Sequence, residues 1–331
     1  MRKRLLIRQI MRRSARGPQR QRGTALLLAM LTVTLVAAFA AAAVWQQWRS
    51  TEIETAERAR LQSGWILAGA LDWSRLILQE DARQGGPDHL SEPWAVPLME
   101  ARLSTFLAAE RNITVDASNL PDDAFLSGQI EDAQGRFNLR NLLRNGQPSE
   151  VDRQTLQRLF VNLRLPATQA EALATQWLRA ARAEQQGPGS DPGAPLLPAR
   201  LQQLAWLGVA PELIRQLAPH VTILPERTSI NANTASVEVL SAAAPNVAPG
   251  DVARAVAQRA SKPFLDTAAL QAAIPAGEGQ AELGVNSKYF VIRGSLRLGS
   301  IRIDEQALVE RQGLQSVMLW REKGSVFSPE Q

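Results

Sequence analysis

The chain has 331 residues, of which 45% are hydrophobic and none is cysteine, so disulfides, thiolate catalysis and cysteine-ligated metals are excluded. Its two histidines, His89 and His220, lie far apart in sequence, which argues against a zinc or iron site. Residues 1–22 hold nine of the 37 Lys/Arg and no Asp/Glu, so the net charge of +5 arises there. The rest of the chain has 28 basic and 32 acidic residues, a net charge of −4. This mildly acidic balance argues against a phosphate-binding surface.

An uncharged stretch separates Arg22 from Arg49, and nearly every residue from Thr24 to Val44 is apolar. This is about the length that a helix needs to cross a bilayer. The nine basic residues all precede it, so the positive-inside rule predicts a cytoplasmic N-terminus and the rest of the chain on the far side. The alternative is a secretory signal peptide that is cut after Ala40 or Ala43.

The residues that follow favour an uncut helix. Apolar side chains recur three and four residues apart from Trp45 to Ile77, and no proline occurs between Pro18 and Pro87. We therefore predict one helix from about Thr24 to about Arg83, with a membrane-spanning first half and an amphipathic second half.

Short elements are predicted after this helix. Met99–Ala109 is a helix candidate, and SGQIEDAQGRFNLRNLL, Ser127–Leu143, predicts a β-hairpin with a tight turn that ends at Gly135. Polar side chains in this stretch are predicted to cap turns or, alternatively, to offer oxygen ligands to calcium: Asp132, Asn138 and Asn141.

Helical patterns predominate from residue 148 to residue 283. Ser149 followed by Asp152 resembles a capping box. Further on, Ser229–Phe264 contains two helical segments joined by the turn Pro245–Gly250, with Asn233 or Thr234 as the predicted N-cap. This is a helix-hairpin-helix pattern, which often binds DNA backbones, but the turn lacks a GxG. Because the pattern itself is present, DNA binding or DNA uptake by a membrane-anchored protein is an alternative function.

The C-terminal part predicts β-structure. Alternating apolar residues from Tyr289 to Trp320 indicate three strands, and the short turns between them predict antiparallel pairing. The hairpin near Ile130 must join these strands, so a helical block lies between strands of one sheet. The predicted fold class is α+β.

Together these features resemble type IV pilins and type II secretion pseudopilins, and most closely the minor pseudopilin K family. The stretches that carry the resemblance are RQRG (Arg20–Gly23) before the apolar run, IEDAQGRFNL, and INANTA. The resemblance implies cleavage by a prepilin peptidase after Gly23, which leaves a methylated Thr24 as the first residue. Leu28 is then the fifth mature residue, where most pilins have glutamate, and the lack of this acid is typical of the K family. Initiation at Met11 instead of Met1 would shorten the leader.

The resemblance also implies the domain organisation. Residues 1–23 are the prepilin leader, residues 24–83 form the N-terminal helix, and residues 24–44 of it span the membrane. Residues 84–147 and 284–331 form a pilin-like α+β head with an antiparallel sheet, and residues 148–283 form a large all-helical insert that resembles SAM and helix-hairpin-helix domains.

The function implied by the resemblance is a non-enzymatic minor pseudopilin at the pseudopilus tip, which helps to initiate assembly and the export of folded proteins across the outer membrane. Its expected place is the inner membrane, with a single span and a periplasmic head. Expected partners are the I-type and J-type minor pseudopilins, the prepilin peptidase, the inner membrane and secreted protein substrates, but no nucleic acid.

The search for catalytic motifs agrees with this expectation, since no GxSxG, Walker A, HExxH or EF-hand pattern occurs. The adjacent acids Asp122/Asp123 and Asp304/Glu305 are typical of solvated loops or strand edges. A signal-anchored extracytoplasmic enzyme is the third hypothesis.

The resemblance finally implies calcium as the one cofactor, bound in the head. Acids and amides brought together by the fold would supply oxygen ligands. The candidate ligands are Asp132, Asn231, Asn233, Asp251 and Asp266.

Overall fold

The computed structural model describes residues 21–109, 124–187, 189, 191–299 and 301–324. The leader before Gln21, with both candidate start residues, lies outside these ranges, and so does the acidic pair Asp122/Asp123. The chain forms two units, one that ends at Gln62 and one that begins at Ser63. This division does not test the four segments given above, whose boundaries stay predictions.

Helices make up the first part of the described chain and a later block. The α-helices are α1 (Gln21–Gln84), α2 (Leu103–Ala109), α3 (Glu150–Asn162), α4 (Ala167–Gln186), α5 (Pro211–Leu217), α6 (Val237–Ala243), α7 (Pro249–Arg259) and α8 (Thr267–Ala273). Short 3-10 helices cover Pro93–Ala95, Ala133–Gly135, Leu139–Leu142 and Leu201–Leu207. Because only two-residue strands interrupt the run from α3 to α8, these helices form one helical block.

The long strands form one sheet. The strands are β1 (Leu98–Arg102), β2 (Ala124–Asp132), β3 (Phe137–Asn138), β4 (Leu143–Arg144), β5 (Gln147–Pro148), β6 (Val221–Thr222), β7 (Ile230–Asn231), β8 (Leu283–Gly284), β9 (Tyr289–Leu298), β10 (Ile301–Gln312) and β11 (Gln315–Lys323). The five-stranded sheet has the order β1-β2-β9-β10-β11, and every neighbouring pair is antiparallel. Since β2 and β9 are adjacent, the helical block lies between two strands of one sheet, and the predicted α+β fold class is confirmed.

The first unit consists of α1 up to Gln62. Its side chains from Gly23 to Arg58 are exposed, and they are mostly apolar up to Trp48. The mean hydropathy over an 18-residue window is 2.4. By length and composition this helix is able to cross a membrane.

In the second unit, α1 packs on one face of the sheet. Leu67, Leu71 and Leu78 are buried, and their spacing of four and seven residues places them on one side of the helix. They contact sheet residues that share one face: Leu126, Ile130, Phe290, Ile292, Leu296, Ala307 and Val309. This packing joins the end of α1 to the sheet.

The helical block has its own core. Phe160 of α3, Trp177 of α4 and Leu240 of α6 are fully buried in it. Ser149 caps α3 by accepting a hydrogen bond from the Asp152 backbone amide, which confirms the predicted cap. The predicted N-cap of α6 is wrong: Ser236 caps this helix by accepting from the Val239 amide, and neither Asn233 nor Thr234 has that role.

The helix predicted over Met99–Ala109 is correct only in its second half. Met99–Arg102 belongs to β1, which pairs with β2 through Ala101 and Leu126, and α2 begins at Leu103. Strand pairing therefore overrides the local helical propensity of this stretch.

The predicted β-hairpin is also wrong. β2 does not turn back on itself, because β3 leaves the sheet and pairs in parallel with β6, Phe137 opposite Val221. Phe137, Leu139 and Leu142 are buried in the core of the helical block. Their apolar character indicated the buried side of a strand, but they are buried in the core of the helical block instead.

Candidate functional site

The predicted processing junction lies in the first turns of α1. Gly23, Thr24 and Leu28 are all exposed. A Cβ atom at Gly23 would meet nothing within 4 Å, so the fold itself does not require glycine there. A glycine lowers helix stability by about 1 kcal/mol relative to alanine, which makes this turn easier to unwind for a protease. Processing after Gly23 stays a prediction, and packing within the described residues gives no reason for glycine at this position.

Among the described residues, the buried carboxylate with the most hydrogen bonds is Asp132, at the end of β2. Its Oδ1 accepts from the Gln134 amide at 2.7 Å. Its Oδ2 accepts from Asn231 Nδ2 at 2.8 Å, Thr234 Oγ1 at 2.6 Å and Ser287 Oγ at 2.7 Å. Burial raises the pKa of Asp132, and these hydrogen bonds oppose the rise. We call Asp132, Asn231, Thr234 and Ser287 the Asp132 cluster.

The turn after Asp132 must approach the helical block closely. A Cβ atom at Gly135 would lie 2.8 Å from Thr234 Oγ1 and about as close to the Thr234 backbone. Only glycine fits without a shift of this backbone. Gly135 therefore permits Thr234 to reach the carboxylate of Asp132.

An ion-pair group adjoins the Asp132 cluster. Arg311 of β10 donates to Asp81 Oδ2 at 2.6 Å and to both oxygens of Asp88, at 2.6 and 2.7 Å. Asp88 also accepts from the Ser287 amide, and its carbonyl accepts from Asn231 Nδ2. Burial raises the pKa of Asp88 to about 6, against the lowering effect of Arg311. The end of α1, the sheet and the helical block thus meet in one buried polar network.

Sequence reasoning missed the acidic residues of this region. Carboxylate oxygens of Asp81, Asp88 and Glu92 lie within 4.8 Å of one another. Burial raises the pKa of Glu92, which accepts from Trp94 Nε1 at 2.7 Å. One signal was available, because an acid in the last turn of a helix, such as Asp81, opposes the helix dipole and so indicates a cationic partner.

Of the five predicted calcium ligands, Asp132, Asn231 and Asn233 are joined by hydrogen bonds, whereas Asp251 and Asp266 have local roles on α7 and α8. Asn231 Oδ1 accepts from the Asn233 amide, and Asn233 Oδ1 accepts from the Phe264 amide. Asp251 pairs with Arg254 at 2.5 Å, and Asp266 caps α8. The oxygens of Asp132 already accept four hydrogen bonds, which leaves little room for a cation. The hydrogen bonds of these five side chains do not fit a single calcium site built from all of them.

Asn138 and Asn141, the other polar candidates of the Ser127–Leu143 stretch, also have structural roles. Asp132 and Asn138 cap 3-10 helices, as predicted. Asn141 instead bonds the backbone of Thr228 through both atoms of its amide. The expectation of solvated acids is wrong for Glu305, which is buried on β10 and accepts from Arg321 Nη2 at 2.7 Å.

Comparisons with known proteins agree on one family. Models described as "Type II secretion system (T2SS), protein K" match residues 135–226 and 230–293. The type II secretion system protein K of Pseudomonas aeruginosa is 27% identical over 306 residues, which is 85% of this chain and 86% of that protein. That of Klebsiella pneumoniae is 28% identical over 326 residues, 89% of this chain and 94% of that protein. The chain belongs to the type II secretion system protein K family.

A solved structure shares the fold. One chain of the GspK-GspI-GspJ complex from the enterotoxigenic Escherichia coli type 2 secretion system matches with a TM-score of 0.57 and 23% identity, over 82% of this chain and 99% of that one. The resemblance to protein K is thus confirmed by sequence and by fold. The family is one of structural pseudopilins and not of enzymes. The N-terminal apolar helix is consistent with an inner-membrane anchor.

Membership also bears on the helix-hairpin-helix alternative. The family model that covers residues 230–293 includes both helices of that pattern, α6 and α7. Arg254 of α7, a basic residue that could face a DNA backbone, is paired with Asp251 in the first turn of the same helix. No observation favours DNA binding over the pseudopilin function.

The Asp132 cluster generates a stability prediction. Asp132→Asn should lower the free energy of unfolding by about 3 kcal/mol, because the new NH₂ group faces the Asn231 amide nitrogen and leaves a buried donor unpaired. Asp251→Asn makes the same chemical change at an exposed ion pair and should cost less than about 1 kcal/mol. Thermal melting of the full chain in detergent measures both. Equal melting temperatures for the two variants would contradict the importance of the Asp132 cluster.

Proposed function

We propose that the chain is the minor pseudopilin at the pseudopilus tip, where it helps to initiate assembly and the export of folded proteins across the outer membrane. The observation that carries this proposal is Leu28, an exposed apolar residue on an apolar helix at the fifth position after Gly23.

The physical argument concerns an ion pair. In pilin assemblies the glutamate at the fifth mature position pairs with the N-terminal amine of the subunit above, and such a pair in an apolar setting is favourable only when both partners are present. A subunit with Leu28 offers no acid to a subunit above it. It also buries no unpaired charge when nothing lies above it, which suits the tip.

The proposed partners are the I-type and J-type minor pseudopilins, by analogy with the solved GspK-GspI-GspJ complex. The surface available for them includes the apolar side of α1, where Leu26, Leu31 and Leu35 are more than half exposed. The prepilin peptidase and secreted proteins are further proposed partners.

The proposed location is the inner membrane, with one span, a cytoplasmic N-terminus before processing and a periplasmic head. The support is the charge asymmetry, because the nine Lys/Arg of residues 1–22 precede the apolar run.

The processing step gives a prediction with a matched control. Gly23→Val should leave only the full-length precursor in the membrane, because the peptidase must approach the backbone at this position. Gly69→Val changes another glycine of α1 that also has open space around it, so this variant should be cut normally and begin at Thr24. N-terminal sequencing and mass spectrometry of both proteins measure the outcome. Efficient cleavage of Gly23→Val after residue 23 would contradict the processing proposal.

The tip position gives a second prediction. When the chain is coexpressed with I-type and J-type pseudopilins, all three should co-purify from membranes in detergent. Leu28→Glu should reduce this recovery several-fold, since an unpaired carboxylate in an apolar setting costs about 3 kcal/mol. Leu28→Met, which keeps the apolar character, should not. If Leu28→Glu assembles as well as the parent chain, the argument from the missing acid is wrong.

We also propose calcium binding in the head. Its support is the group Asp81, Asp88 and Glu92, whose carboxylate oxygens lie within 4.8 Å of one another and are of the type that calcium binds. Arg311 already neutralises two of these carboxylates, so a calcium ion would have to share them.

The calcium proposal predicts a ligand-dependent stability. A site that exists only in the folded chain contributes about 2.7 kcal/mol at a hundredfold excess of ligand over Kd. Melting of the full chain in detergent should therefore occur several degrees higher in millimolar calcium than in chelator, with little effect of magnesium. Glu92→Gln should remove the difference, whereas Glu80→Gln, at an exposed pair nearby, should keep it. Identical curves in calcium and chelator would remove calcium from the proposal.

A further inference from the structure

A groove of about 390 Å³ lies between the sheet and the helical block, within the second unit. Its sheet side includes Val291 of β9, Gln306 of β10 and Trp320 of β11. Its other side includes Leu201 and Ile223. The volume is within the range of pockets that hold a small molecule or several residues of a peptide.

Basic side chains outnumber acidic ones in the lining of the groove. Four arginines line it, Arg136, Arg200, Arg215 and Arg293, whereas the lining contains one acid, Glu131. Glu131 accepts from both Arg136 and Arg293. Arg200 and Arg215 each have one acid nearby, Glu322 and Glu212. These two acids and Glu131 leave one of the four positive charges unbalanced, although the chain after residue 22 has more acidic than basic residues.

Arg293 is incompletely compensated. Its Nε atom is buried and has no hydrogen-bond partner among the described residues. Burial lowers the pKa of Arg293, and the charge of Glu131 opposes this effect. Arg293 shares its one carboxylate partner, Glu131, with Arg136, so neither arginine has a carboxylate of its own.

The two outer arginines are held loosely. Arg200 lies over the ring of Trp320, 5.2 Å from its centroid, and is 3.9 Å from Glu322, beyond hydrogen-bond distance. Arg215 pairs with Glu212 on the same helix, and both side chains are more than half exposed. The exposed pair of Arg215 contributes little, and Arg200 forms no hydrogen bond with Glu322, so both guanidinium groups have donors available to a ligand.

Apolar side chains also line the groove. Val221, Ile223 and Val291 line it together with Trp320, and Trp320 packs against the apolar cluster that contains Val291. An anion such as phosphate would neutralise the arginines but leave this apolar surface uncovered. A peptide that places an apolar side chain between acidic ones covers both, and the planar guanidinium group matches a carboxylate with two parallel hydrogen bonds.

We propose that this groove binds an acidic peptide segment of another protein, with carboxylates on Arg200 and Arg215 and an apolar side chain against Val291 and Trp320. This binding site goes beyond the proposed function in assembly and involves no residue of α1.

Fluorescence anisotropy of the full chain in detergent tests the proposal. The probe is a labelled short peptide with one phenylalanine between two pairs of glutamates, and the same peptide with glutamines is its control. R200Q and R215Q should each weaken binding about fivefold or more, the effect of about 1 kcal/mol. R254Q removes an arginine from a comparable pair three residues apart outside the groove and should bind like the parent chain. Equal melting temperatures of the variants confirm that the fold is kept.

Several results would overturn the proposal. These are no binding up to millimolar peptide, equal affinity for the glutamine peptide, or R200Q and R215Q that bind as tightly as R254Q. If inorganic phosphate binds as tightly as the acidic peptide, the occupant is a phosphate group and the assignment to a peptide is wrong.

Discussion

The arrangement of the second unit depends on one buried carboxylate. Asp132 ends a strand of the sheet, and it accepts hydrogen bonds from Asn231 and Thr234 of the helical block and from Ser287, just before β9. An apolar contact at the same place would tolerate sliding, but a buried acceptor with four donors fixes the direction of each partner. Orientation of the helical block on the sheet is therefore specified by polar geometry, while the apolar cores on either side supply most of the stability.

The same network reaches the anchor helix. Arg311 binds Asp81 near the end of α1 and Asp88 just beyond it, and Ser287 is shared between this ion pair and the Asp132 cluster. A displacement of the C-terminal end of α1 would have to break charged hydrogen bonds in a buried setting, which is costly. In a pseudopilin, whose helix ends in the head, this connection ties the head to the helix.

Much of the fold could be predicted from the sequence, because local signals agreed with tertiary structure there. The helix predicted from about Thr24 to about Arg83 is observed as Gln21–Gln84, and the cap at Ser149 is observed as predicted, because apolar spacing and capping chemistry are local signals. The hairpin prediction for the stretch after Asp132 was wrong because alternation indicates which residues are buried but not which core buries them. The three partners of Asp132 Oδ2 lie 99 or more residues away in sequence, so no local pattern could indicate that this oxygen is already occupied.

Residues on both sides of the helical block belong to its core, so the block is not separable at its first and last helices. Phe137, Leu139 and Leu142 precede the first helix of the block and yet are buried in its core, and Val285 returns to that core just before β9. A graft that exchanges only the helices between relatives would expose these side chains on the recipient. The smallest transplantable piece therefore runs from Arg136 to Val285, and it must be accompanied by a compatible glycine at position 135 and an acid at position 132 on the recipient sheet.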